Sequence, residues 1–133
     1  MLDWKFNSTE ITTNTNYTGI AKTMIEKIMA NQNSPYYISE SVFSIQLTGV
    51  ANYLYEYTSY ANFYAKLNEL GMNNVKYLNV SYTAQPLGKH NVLANYQGDL
   101  DINGSVYKFS SSIIIKVNSL FNNITHHIIN IFY

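Results

Sequence analysis

The chain has no cysteine and, since all eight of its basic residues are lysine, no arginine. The missing thiols exclude disulfides, thiolate metal sites and a cysteine nucleophile. The missing guanidinium groups, with Lys5, Lys22, Lys27, Lys66, Lys76, Lys89, Lys108 and Lys116 scattered, leave no cationic stripe. A nucleic-acid or anionic-membrane partner is therefore not expected. Charge of either sign is scarce, at 12% of residues, and eight acids balance eight bases. Proline occurs only twice, and the six glycines are isolated, so no Gly-rich phosphate loop exists. No Ser-centred nucleophile elbow and no His/acid cluster at ligand spacing appears, so neither a cofactor nor a metal is expected. The opening residues, Met1-Leu2-Asp3-Trp4-Lys5-Phe6, hold no apolar run of signal-peptide type, and no stretch is long enough to span a bilayer. The expectation is a protein of the cytoplasm and nucleus. Five Asn-x-Ser/Thr triplets, starting at Asn7, Asn16, Asn79, Asn103 and Asn123, read as chance in an Asn-rich chain.

What is present is secondary-structure patterning, and 133 residues suffice for one domain with a core. Residues 1–16 read as a polar arm and 17–133 as the domain. Asn16 or Thr18 can cap a helix to about Ala30, with Ile20, Met24, Ile25, Ile28 and Met29 in one stripe. Pro35 can open a short helix from Tyr36 to Ser39. Residues 41–48 alternate, with Phe43, Ile45 and Leu47 opposite Val42, Ser44 and Gln46. Residues 52–57 alternate again, with Tyr53, Tyr55 and Tyr57 on one face, so the two make a hairpin about Gly49. Ser59 caps a second helix that stops near Gly71.

From Val75 onward the chain reads as four consecutive strands, about 75–84, 91–102, 105–117 and 124–133. Gln85-Pro86-Leu87-Gly88 is expected to break the first pair. Asn103-Gly104 is a two-residue hairpin signal, and Asn122-Asn123 marks the third turn. Early helices and a late meander indicate an α+β domain with helices on one face of an antiparallel sheet. Both faces of the late strands look apolar. Ile124, Ile128 and Phe132 are expected on one side of the last strand, with Ile129, Ile131 and Tyr133 on the other. One helical layer cannot cover two faces, so the second is expected to be buried by another subunit, most economically in a two-fold homodimer.

Five segments in order carry a resemblance: Phe63 to Leu70, Ser81 to Pro86, Asn95 to Leu100, Phe109 to Ile115, and Ile129 to Phe132. Over about residues 18–133 the chain resembles the nuclear transport factor 2-like family. The resemblance implies a cone-shaped fold in which a curved sheet wraps the long N-terminal helix, leaves an apolar cavity and dimerises through its outer face. Members of that family carry Ran-GDP and touch Phe-Gly repeats of nucleoporins, which implies a non-enzymatic transport factor. The matching partner positions here are Leu47, Thr48, Asp99, Asp101 and Asn103. Where the family has an acidic turn, this chain has Asn103-Gly104-Ser105; where it has an aromatic before the hairpin glycine, this chain has Leu47.

The same fold also hosts isomerases and dehydratases that use a cavity acid or histidine with tyrosine hydroxyls. On that reading the catalytic candidates are His126, His127 and Tyr55, with His90, Glu56, Asp99 and Asp101 less favoured. Adjacent strand residues face opposite ways, so only one of His126 and His127 can face a cavity. A third reading is an accessory subunit of a heterodimeric export factor.

Overall fold

A computed structural model describes residues 15–118 and 121–133. The arm expected over residues 1–16 lies, but for its last two residues, outside the described ones. Helix α1 spans Tyr17–Met29, and the Asn16 side chain accepts a hydrogen bond from Gly19 N at 3.0 Å. Ala21, Met24, Ile25 and Ile28 are its buried residues, at the spacing that puts them on one face. Helix α2 spans Tyr60–Glu69, is capped by Ser59 and buries Phe63.

Strands β1 (Tyr37–Thr48), β2 (Tyr53–Tyr57), β3 (Val75–Leu87), β4 (Asn91–Ile102), β5 (Ser105–Lys116) and β6 (Asn123–Phe132) form one curved sheet in the order β2-β1-β6-β5-β4-β3. The late meander is antiparallel throughout, but β1 pairs with β6 in parallel. That pairing joins the first hairpin to the far end of the chain. The helices pack against one face, where α1 meets β3 and β4 and α2 meets β1 and β2. The core of Ile25, Phe43, Phe63, Tyr96, Leu100 and Ile113, with its neighbours, lies between helices and sheet.

Three local expectations are corrected. The short helix expected from Tyr36 to Ser39 is a single 3-10 turn over Ser34–Tyr36, and β1 already begins at Tyr37, whose backbone pairs with Ile124. Gln85-Pro86-Leu87 does not break β3, because Pro86 sits in register with Val92 near the end of an edge strand, where no outward partner needs its missing N–H. Ile124 does not share a face with Ile128 and Phe132. The register jumps from Ile114–His126 to Ile115–Ile124, which leaves Thr125 as an extra residue and turns Ile124 inward. Thr125 Oγ1 bonds Ile114 O at 3.3 Å across this bulge.

Matching irregularities occur in two other strands. In β1, Ser41 is buried, accepts from Ile38 N at 2.9 Å and donates to Ile124 O at 2.7 Å, satisfying backbone groups that the ladder leaves free. In β3, Asn79 and Val80 bulge opposite Gly98. A Cβ on Gly98 would lie 2.7 Å from Leu78 O and 3.0 Å from Asn79 O, both backbone atoms that cannot swing away. Gly98→Ala is therefore expected to destabilise the fold by about 2 kcal/mol or more, a large effect for one methyl group. A urea midpoint equal to wild type would contradict the close approach.

Candidate functional site

The cone interior is built where β1, β6 and β4 bring three aromatic residues together. The parallel register sets Phe43 opposite His127, and strand alternation with Ile129 and Ile131 points that imidazole inward while His126 points outward. Tyr37 meets His127 Nδ1 at 2.7 Å, and Tyr96 meets Nε2 at 3.3 Å. The Tyr37 hydroxyl accepts from Asn33 Nδ2 at 2.8 Å, so its own proton is the one aimed at Nδ1. Nδ1 is then the acceptor nitrogen, and Nε2 carries the hydrogen that Tyr96 accepts. Ser111 lies directly across the ladder from Tyr96. Ser111 Oγ donates to Ile128 O at 2.7 Å. One directed chain thus runs from Asn33 through Tyr37 and His127 to Tyr96.

Burial sets the protonation of this chain. His127 is 3% exposed, and burial pushes its pKa down to about 3, because an imidazolium would lose its hydration. Burial likewise raises the Tyr37 and Tyr96 phenols, and raises Tyr77 to about 12. All are neutral at physiological pH. Tyr60, Phe63, Tyr77 and Leu67 border the space beside His127, a cavity of about 60 Å³ with no charged side chain on its wall. Two to four waters would occupy such a volume at about 15–30 Å³ each. Substrate pockets run to about 300 Å³ or more.

The other sequence candidates do not gather there. Tyr55 lies on β2, half-buried, with Lys66 Nζ 4.3 Å from its ring centroid. It does not line the cavity, so the expected His126, His127 and Tyr55 set is not a set in space. His126 is exposed and bonds Thr125 Oγ1 at 2.9 Å. His90 lies in the β3–β4 connection, and Glu56 faces solvent on β2. Among the described residues, no three His, Cys, Asp or Glu side chains gather to hold a metal ion.

The partner positions divide between the two sides of the sheet. Leu47 faces inward and, with Leu70, Ile102, Tyr107, Ile131 and Tyr133, lines an open apolar cleft of about 270 Å³ at the cone mouth. Thr48 and Asp99 belong to the opposite face, in one cross-strand row with Phe132 and Lys108. Lys108, at 2.9 Å, and Asn79, at 3.2 Å, hold the Asp99 carboxyl below its ordinary pKa. Asp101 accepts from Gly104 N at 2.9 Å inside the β4–β5 turn that contains Asn103. Pattern reasoning missed Tyr37 and Tyr96 as partners of His127, and Asn33 as the partner of Tyr37. It also missed Val50 and Leu54, which stand exposed on the first hairpin.

No family model and no curated protein matches this sequence. Solved structures do match it. A chain of the yeast complex of the deubiquitinase Ubp3 and its cofactor Bre5 superposes with a TM-score of 0.60 at 15% identity, over 84% of this chain and 93% of that one. A nuclear transport factor 2-like protein of unknown function from Shewanella baltica gives 0.57 at 14% identity, over 91% and 98%. A candidate isomerase from Bacillus subtilis gives 0.52 at 15% identity, over 88% and 89%. The architecture is therefore the nuclear transport factor 2-like fold, α+β with a curved sheet. At these identities the likeness defines the fold alone.

Two outcomes follow from the buried chain. His127 binds its proton more weakly folded than unfolded, so its contribution is complete above pH 6.5 and is lost as the pH falls toward 3. Stability should drop by up to about 1.4 kcal/mol per pH unit across that window. Urea titrations at stepped pH should show this slope in wild type and a flatter one in His127→Gln. Tyr37→Phe, which strands Asn33 Nδ2 and His127 Nδ1, should cost about 1–3 kcal/mol at pH 7.

Proposed function

We propose that this chain is a non-catalytic, protein-binding module that dimerises through its outer sheet face and takes partners at the cone mouth and first hairpin. The observation that carries the reading is the contrast between the cone interior and the cone mouth. The interior is small, and its histidine already uses both ring nitrogens on tyrosines, so it offers neither substrate space nor a free base. The mouth is open and apolar, of a size to take one bulky side chain. That Bre5 is a cofactor in a complex with a deubiquitinase supports a protein-binding use of the fold. It disfavours neither of the partners proposed here.

Those partners are Phe-Gly segments of nucleoporins and Ran-GDP, in traffic between cytoplasm and nucleus. The cleft suits an aromatic side chain inserted from a Phe-Gly segment. The rim suits Ran less well: Thr48 and Asn103 are neutral, and Asp101 is engaged in its turn. The reading therefore favours the nucleoporin segments. A cavity isomerase or dehydratase is the weaker alternative.

Dimerisation is supported by the outer face itself. Ile128 is 45% exposed and Phe132 42% exposed there, beside the exposed Val42 and Leu78, while the charges of Lys108 and Asp99 neutralise each other.

Binding of a fluorescent Phe-Gly repeat peptide and of Ran-GDP should be measured in parallel. Saturable peptide binding, weakened at least about tenfold by Leu47→Glu through loss of apolar burial, is the expected result. Absence of binding to both at high micromolar concentration would sink the transport reading. Sedimentation should give a dimer that Ile128→Lys converts to monomer. A wild-type monomer would instead leave the outer face for a different subunit, the heterodimeric export-factor arrangement.

A further inference from the structure

The β4–β5 turn carries chemistry that the binding surface does not use. Asn103-Gly104 is the one Asn-Gly pair in the sequence. In such a pair the backbone nitrogen of the glycine can approach the asparagine side-chain carbonyl, since no Cβ obstructs it. Here Asn103 has φ 53° and Gly104 φ 92°, and both are exposed. A Cβ on Gly104 would meet nothing within 4 Å, so the space around the pair is open. The Asn103 amide nitrogen lies 3.4 Å from the point where a Cβ on Gly71 would stand, which sets it against the end of α2. Its neighbour Ile102 lines the cone-mouth cleft.

We propose that Asn103 is a site of spontaneous deamidation, and that Asp101 guards it. In the reaction Gly104 N bonds to Asn103 Cγ, and the bond from Cγ to the side-chain nitrogen breaks. The departing NH2 group takes up the Gly104 amide proton and leaves as ammonia. The product is a five-membered succinimide. Water then adds to one ring carbonyl. Opening at the side-chain carbonyl gives aspartate. Opening at the backbone carbonyl gives isoaspartate, with one more methylene in the main chain. Water is the only co-reactant, and no redox change occurs.

Asp101 acts on the rate by position. Attack requires the Gly104 N–H to leave its acceptor and the peptide plane to turn toward Cγ. The charge-assisted bond of 2.9 Å from Gly104 N to Asp101 Oδ1 opposes that rotation. Asp101 is thus a positioning residue that keeps a reactive pair slow. Conversion would put a second carboxylate on the neutral rim beside Asp101 and change the formal net charge from 0 by one negative unit. In the isoaspartate form the lengthened backbone no longer fits a two-residue hairpin turn. The rim would then carry different charge and shape in aged and fresh protein, whichever partner it serves.

The folded full chain, incubated at neutral pH and 37 °C, should be followed by peptide mapping with mass spectrometry and an isoaspartate-specific methyl-transfer assay. Wild type should convert slowly at residue 103. Asp101→Ala should convert severalfold faster. Asp101→Asn, which retains an acceptor oxygen, should follow wild type, and Asn103→Gln should not convert at that position. Circular dichroism establishes that each variant is folded, and a urea-unfolded wild-type sample supplies the unguarded rate. Equal rates in wild type and Asp101→Ala would overturn the guarding role. No conversion in folded Asp101→Ala, while the urea-unfolded chain converts, would overturn the site itself.

Discussion

The parallel ladder between β1 and β6 is the constraint on which the rest depends. It joins strands more than 70 residues apart in the chain and closes the gap between the first hairpin and the late meander. Without it, β2 and β1 would be an isolated hairpin, which is marginal in water. With it, the sheet runs unbroken across six strands and curves far enough to wrap two helices. The same ladder fixes which side chains meet. It sets Phe43 opposite His127 and brings Tyr37, at the start of β1, within hydrogen-bond reach of that imidazole.

Ladder irregularities then decide which way groups point. The Thr125 bulge turns Ile124 inward, to the face that His127, Ile129 and Ile131 share by ordinary alternation, while Ile128 and Phe132 stay outside. The β1 irregularity needs Ser41 to satisfy the backbone beside Ile124, and the β3 bulge needs Gly98 to let Asn79 approach. Each adjusts the curvature of a sheet that must face helices on one side and the outside on the other. The function proposed for the molecule depends on that division: a small, neutral interior, an open apolar mouth, and an outer face with apolar side chains between paired charges.

The interior also shows how a histidine beside two tyrosines can be structural. Catalytic use would need a free nitrogen and a pKa near the working pH. His127 has both nitrogens engaged, and burial holds it neutral. The network secures the junction of β1, β6 and β4 by leaving no member of it unpaired, a condition under which buried polar groups add specificity.

Periodicity alone determined most of the secondary structure. The stripe of Met24, Ile25 and Ile28, the alternation around Phe43 and Ile45, the Ser59 cap and the Asn103-Gly104 turn are local signals, and local sequence is enough to read them. The α+β class followed from their order. Tertiary structure decided the partner of β1, the inward turn of Ile124, the continuation of β3 through Pro86, and the separation of Tyr55 from His127. These rest on pairing across long sequence distances and on single-residue bulges, and one extra residue reverses the facing of everything beyond it. The candidate histidine was therefore visible in the sequence, but its two tyrosines, its neutrality and its small cavity became visible only once β1 and β6 lay side by side.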